Sequence, residues 1–280
     1  VSLRNDAMCQ MRELGIQDIM NKCIRKIGQN IKDVFSLGPS FLKYYLSAFS
    51  RNGVYKVSIK NFGDMYIRHD NSDIDVIRQV FRYREYDIKR PQFLRRRIEE
   101  KYKSIVDSGG TPIIVDAGAN IGASSVWFAK TYPEAVIVAI EPDPENAKLL
   151  RINTERFPNC KVLEAAIGAE SGFVSLIENK LGWAVQTERS ETGIKIVTMN
   201  DAFEASGADT PFMVKIDIEG FEKDLFQSNL DWLNSIYILI VEPHDWMLPG
   251  QLSSSTLQKA IAAHDFELFL VGENIVYVKV

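Results

Sequence analysis

In the segment FMVKIDIEGFEKD, Phe212 to Asp224, three ionisable residues stand two apart: Lys215, Asp217 and Glu219. The apolar residues around them read as a short buried strand that ends in a turn at Gly220. Residues two apart on a strand share one face, and charged side chains are rarely buried without a partner. Such a strand must either pair its charges or present them where a ligand arrives. Lys215, the deepest, requires a carboxylate, with Asp116 and Asp217 the candidates. The next apolar run ends in VEPHDW and adds Glu242, His244 and Asp245. Asp217, Glu219, Glu242 and Asp245 offer the oxygen donors that Mg²⁺ or Ca²⁺ take. No ligand spacing demands a metal, so a divalent cation is not the favoured reading.

A second constellation is VDAGANIGASS, followed by Glu141, 25 positions after Asp116. Gly118 and Gly122 flank a turn through Ala119 and Asn120, and Ser124 and Ser125 open a helix. An acid placed as Glu141 is, at the end of the following strand, can accept both hydroxyls of a ribose. The nicotinamide fingerprint GxGxxG is not met, because Asn120 takes the middle glycine's place. Asp116, two positions before the first glycine, would repel a pyrophosphate and suit a cationic ligand with an amino group. S-adenosylmethionine has an ammonium, a sulfonium, a ribose and no phosphate, and fits this set.

The elements that position these residues fall into two parts. Residues 6–50 read as mainly helical, broken at SLGPS. Val54 to His69 alternate like a hairpin, and Ser72 with Asp75 suggests a capping box before a helix bearing Ile74, Ile77 and Phe81. A last helix is expected from Pro91 to Val106. Residues 1–107 thus form a helical and β-hairpin cap. From Ser108 to Val280, the runs PIIVDAG, AVIVAIEP, KVLEAAIG, FMVKIDIEG and IYILIVEPH alternate with helical stretches, which indicates a parallel sheet covered on both faces. FELFLV and NIVYVKV, joined through Gly272 and Glu273, predict a C-terminal antiparallel hairpin. The fold class is α/β and Rossmann-like.

VDAGANIGASS, EPDPEN, AAIG and VKIDIEGFE together resemble the FkbM family of class I, S-adenosylmethionine-dependent methyltransferases, and SDIDVIRQVFRYREY resembles its upstream segment. The likeness covers roughly residues 66–280. It implies a seven-stranded sheet and methylation of a hydroxyl on a small molecule or sugar. It further implies that Asp116 and the backbone of Gly118, Ala119, Asn120 and Gly122 hold the methionine part, with Ser125 near its carboxylate. Glu141 would hold the ribose, and Pro142 and Ala166 would lie against the adenine. With no Asp in EAAIG, Glu164 or a backbone carbonyl must meet the adenine amino group. Asp217 and Glu219 would border the sulfonium and the acceptor oxygen. Asp217, Glu219 and His244 are the candidates for the base, and His69 and His264 are weaker ones. Tyr86 is placed to close over the cofactor. Asn179 to Gly193 reads as a mobile loop in which Trp183 could stack on a sugar ring.

The chain has 280 residues, 46% of them hydrophobic, enough for an unaided core. Cys9, Cys23 and Cys160 are too few and too scattered for a disulfide framework or a zinc site. The first fifteen residues have no signal-peptide apolar region and no apolar run could span a membrane, so a cytoplasmic setting is expected. Residues 1–110 carry 21 Lys/Arg against 13 Asp/Glu, and the remainder 12 against 24. That asymmetry raises an RNA methyltransferase as an alternative, but the basic run Lys89 to Lys103 lacks the interleaved aromatics that stack on bases. Nucleic acid is not the expected partner. A non-catalytic binding protein on the same fold is the other alternative.

Overall fold

The structure is a computed structural model that describes residues 20–47, 53–69, 72–178, 185–247 and 249–280. Helix α1 covers residues 20–36 and α2 Ser40–Leu46. A hairpin of β1 (Val54–Ile59) and β2 (Gly63–Arg68) follows. Helix α3 (Asp73–Ile77) continues as a wider π-helical turn through Arg78–Tyr83. The expected capping box is not made: Ser72 forms no side-chain cap, and Asp73 instead accepts from the Arg68 backbone N–H at 2.7 Å. Helix α4 runs Gln92–Asp107 and carries the basic run on an exposed face, where Arg96 pairs with Glu100 at 2.8 Å.

The sheet then begins. Strands β3 (Pro112–Ala117), β4 (Val136–Glu141) and β5 (Cys160–Glu164) alternate with α5 (Ala123–Thr131) and α6 (Pro144–Thr154). Strands β6 (Ala166–Ile167), β7 (Gly172–Glu178), β8 (Val185–Ser190) and β9 (Ile194–Val197) form a separate small sheet in the order β6-β9-β7-β8. Then come α7 (Met199–Ser206), β10 (Thr210–Ile216), α8 (Glu222–Leu225), β11 (Ile238–Val241) and α9 (Ser255–Ile261), and the hairpin β12 (Phe266–Val271) and β13 (Asn274–Lys279). The main sheet has seven strands in the order β12-β13-β11-β10-β3-β4-β5. Six point the same way, and β13 runs against its neighbours β11 and β12. This is the Rossmann-like class I methyltransferase sheet with its C-terminal antiparallel hairpin.

The small sheet corrects the expectation of a loop over Asn179 to Gly193. Residues 185–190 are a strand that, among the described residues, pairs with β7 alone. Its sequence, VQTERS, has no apolar alternation to announce it. Trp183 lies outside the described residues, as does Cys9.

Alternate residues of the central strands face opposite sides. Ile114, Ile137, Met213 and Ile238 pack with Val57, Met65, Ile77 and Ile98 in one core. Val115, Val138, Val214 and Leu239 pack with Leu225, Trp232 and Leu257 in the other. The N-terminal elements therefore share a core with the sheet and cover one of its faces. Strand β3 lies between β4 and β10, so the crossover direction reverses at its carboxyl end, where α/β sheets of this kind bind ligands.

Asn153, 1% exposed on α6, fixes the hairpin to that point. Its Oδ1 accepts from Tyr66 N–H at 2.7 Å, and its Nδ2 donates to the carbonyls of Tyr66 at 3.1 Å and Ile121 at 2.8 Å. Asn153→Ala strands these buried backbone groups and is expected to cost about 2–3 kcal/mol. Urea unfolding measures it, and an unchanged midpoint would refute the anchoring role.

Candidate active site

The site starts from a charge that the core cannot leave alone. Lys215 is 1% exposed on β10. Its Nζ donates to the Gly118 carbonyl at 2.7 Å and lies 3.3 Å from Asp116 Oδ1 and 3.5 Å from Asp217 Oδ2. Both expected partners are used. Burial opposes the ammonium, but Tyr86, Asp116 and Asp217 outweigh it and hold its pKa above the ordinary lysine value. Tyr86 is itself kept neutral by burial, so the two carboxylates supply the stabilising charge. Strand β10 ends at Ile216, which corrects the picture of three charges along one strand face. Asp217 and Glu219 lie in the turn beyond, Glu219 in the left-handed region at φ 53°.

Lys215 also explains the first glycine. A Cβ on Gly118 (φ +75°) would lie 1.7 Å from the Asp217 carbonyl oxygen. The position is glycine because the β10 turn packs against it, in addition to any ligand. Beneath the loop, Asp116 Oδ2 accepts from Ser124 Oγ at 2.7 Å and Ser125 Oγ at 2.6 Å. Asp116 and Ser125 are both fully buried, and their polar atoms are spent on each other and on Lys215. Ala119 and Gly122 are buried in the same turn.

The cleft above has a volume of about 1020 Å³ and is lined by Gly118, Asn120, Glu141, Pro142, Ala166 and Asp217, among others. Glu141 Oε2 accepts from the Asn120 N–H at 2.8 Å, and Oε1 from the Asp143 N–H at 3.0 Å. Oε1 also accepts from Asn146 Nδ2 at 3.5 Å, so these bonds aim a nearly buried carboxylate and leave Oε2 a further lone pair. Burial pushes its pKa from 4.5 to about 7, partly offset by the two N–H groups and the Asn146 amide. Glu164, expected as a possible adenine partner, points elsewhere and pairs with Arg151 at 3.1 Å on the surface.

The other half of the cleft is acidic. Asp217, Glu219 and Glu242 line it. His244, 2% exposed, stands among them with Nε2 at 3.5 Å from Asp217 Oδ1, 3.9 Å from Glu219 Oε2 and 3.9 Å from Glu242 Oε1. Its Nδ1 is 2.7 Å from Glu222 Oε1, a partner that sequence reasoning missed. Burial and the Asp217 charge push Glu219 to about 7 and Glu242 to about 8. Burial opposes a charge on His244, but Glu222 and Asp217 override it and push its pKa to about 9. Gln79, from the π-helical turn, donates to Glu242 Oε2 at 3.1 Å and brings the N-terminal part into the site.

Four expected residues lie away from this chemistry. Asp245 turns outward to accept from Ser253 Oγ at 2.7 Å and the Ser254 N–H at 3.1 Å. Tyr86 is 3% exposed, packed on Phe128 beneath the site, and does not close over it. His69 stacks on Tyr44 and His264 packs near Phe266.

The raised Glu141 pKa has a sign that can be measured. A carboxyl whose folded value exceeds its unfolded one favours the folded state while protonated, so that stability is present below pH 4.5 and is lost as pH rises through 7. Glu141→Gln removes this titration. Its stability should fall less than that of the parent between pH 5 and pH 8, by about 2–3 kcal/mol. Parallel slopes in denaturant titrations across that range would contradict the burial of this charge.

Among curated proteins, the chain is 27% identical over 146 residues to the hexuronic acid methyltransferase AglP of Haloferax volcanii, covering 50% of this chain and 59% of that protein. It is 35% identical over 75 residues to the methyltransferase sdnD of Sordaria araneosa, covering 26% of this chain and 29% of that protein. The chain thus spans less than two thirds of either relative. Among solved structures, an O-methyltransferase of Bacillus cereus in complex with SAH aligns over 73% of this chain and 91% of that one, with 14% identity and a TM-score of 0.37. The family model of the methyltransferase FkbM domain matches residues 116–267, and the chain belongs to the FkbM methyltransferase family.

Proposed function

We propose that this protein is an S-adenosylmethionine-dependent methyltransferase that methylates a hydroxyl group on a small molecule or sugar. The observation that carries this reading is the fixed Glu141 carboxylate, aimed into the cleft at the switch point of the sheet. It suits the two hydroxyls of a ribose, and Pro142 and Ala166 supply apolar wall beside it. The start of α5 is unsuited to a pyrophosphate, because its two serines already face the Asp116 carboxylate. Family membership and the hexuronic acid methyltransferase relative support a hydroxyl-bearing acceptor of the sugar kind. The cleft is at the upper end of small-molecule sites in volume, which suits cofactor and acceptor together.

When bound, S-adenosylmethionine supplies a methyl carbon on a sulfonium, whose C–S bond breaks, with its electron pair leaving on sulfur, as the acceptor oxygen bonds to carbon. The chain's own residues align the acceptor, exclude water and take its proton. Glu219 is the base in this reading. Its Oε2 has no hydrogen-bond partner among the described residues, whereas Asp217 is held by the Lys215 ammonium and His244 by Glu222. The described residues of the 1–107 segment act as the cover: Arg68, Ser72, Val76, Gln79 and Tyr83 line the cleft from that side. A cytoplasmic setting agrees with the unbonded Cys23 and Cys160, and no described helix is long and apolar enough to cross a membrane.

Calorimetry tests the cofactor. Glu141→Ala should weaken S-adenosylmethionine binding by about 1–3 kcal/mol, and NADH should not bind. Equal affinity of parent and variant would remove Glu141 from the cofactor site. The base is tested once label transfer from the cofactor has identified an acceptor. Glu219→Gln should lower turnover by about 10²–10⁴-fold with cofactor affinity nearly intact. Full turnover in that variant would exclude Glu219.

A further inference from the structure

The acidic half of the cleft is more than a place for a base. Asp217, Glu242 and His244 each present one ligand atom, and the three atoms lie within 4.8 Å of one another. His244 Nε2 stands 3.5 Å from Asp217 Oδ1 and 3.9 Å from Glu242 Oε1. Ligands of a divalent ion held at about 2.1–2.3 Å stand roughly 3–4.6 Å apart, so small side-chain shifts suffice to close the set.

A second observation concerns the imidazole. His244 is 2% exposed, and its Nε2 is aimed into the cluster, with Asp217 Oδ1 at 3.5 Å and Glu219 Oε2 and Glu242 Oε1 each at 3.9 Å. Its Nδ1 is fixed by Glu222, itself 1% exposed. A carboxylate accepts the Nδ1 proton and leaves Nε2 to face the cluster, the arrangement by which proteins orient a metal-binding imidazole. Glu242 is held in the same way, through its other oxygen, by Gln79. The ligand atoms are therefore positioned from outside the set, and Asp217 and Glu242 open onto the cleft.

We propose that Asp217, Glu242 and His244 form a divalent-cation site at the acceptor end of the cleft, with Glu222 and Gln79 as its positioning residues. The cation's cleft-facing positions take the acceptor hydroxyl oxygen, which makes its proton easier to lose; this last role rests on the methyltransferase reading above. One imidazole and two carboxylates make a mixed set that suits a first-row ion such as Mn²⁺ better than Ca²⁺.

Mn²⁺ itself is the probe. The full chain, stripped with chelator, is titrated with MnCl₂ while the electron-paramagnetic-resonance signal of the free ion is followed. One ion should bind per chain. Asp217→Asn and Glu242→Gln should each weaken it at least tenfold. Glu222→Gln, which touches no ion, should weaken it by about 10–100-fold in protein whose circular dichroism and melting match the parent. No binding to the folded parent, or affinity unchanged in all three variants, overturns the site. Calorimetry with S-adenosylmethionine on the same samples separates the two readings. Cofactor binding without Mn²⁺ binding overturns the cation site alone, whereas Mn²⁺ binding without cofactor affinity supports the site and overturns the cofactor reading.

Discussion

The ammonium of Lys215 is the constraint on which the site depends. A charge this deep is tolerated only with close partners, and its partners come from two strand ends. The Gly118 carbonyl and Asp116 belong to the end of β3, Asp217 to the end of β10. One side chain therefore ties the glycine loop to the acidic turn. The tie brings the two backbones so close that no Cβ fits at Gly118. It also commits Asp116, which then collects Ser124 and Ser125 from the first turn of α5. The charge that made the segment KIDIEG conspicuous in the sequence is structural at Lys215 and faces the cleft at Asp217 and Glu219.

That division shows what could be read from the residues alone. The Ile- and Val-rich runs gave the parallel strands, because strands buried on both faces are apolar throughout. The Gly272–Glu273 turn gave the terminal hairpin. Glu141 and the glycine loop were legible because the distance between two consecutive strand ends is set by one helix and two short turns. The small sheet was not, since none of residues 187–190 of β8 is buried and so none leaves a period. The partner of His244 was hidden for a different reason. Glu222 is 22 positions away and meets the imidazole only because α8 folds back from the β10 turn beside the end of β11. Asp245, one residue after His244, was lost to a local turn with Ser253 and Ser254, which sequence adjacency cannot distinguish from a cleft position.

The two halves of the cleft differ in how they hold charge. Glu141 is a single carboxylate, satisfied by two backbone N–H groups and the Asn146 amide. The acidic half crowds Asp217, Glu219, Glu222 and Glu242 around one imidazole. Burial, with the neighbouring Asp217 charge added to it, raises the pKa values of Glu219 and Glu242 there. Folding accepts this cost because the large cores on either face of the sheet carry the stability.

An arrangement of this kind couples its ligands. Each positive group that enters the acidic half relieves repulsion among carboxylates that the fold has already fixed. A cationic sulfonium and a divalent ion would each reduce the charge the other finds, so the two weaken one another unless different carboxylates meet them. Glu242 is anchored from the N-terminal side by Gln79, and Glu222 is buried behind the imidazole, whereas Asp217 leans on Lys215 at the boundary with the glycine loop. Lys215 meets Asp217 together with Asp116 and the Gly118 carbonyl, so this ion pair links the acidic half to the glycine loop, and its strength sets how much of the Asp217 charge stays unpaired at the cleft.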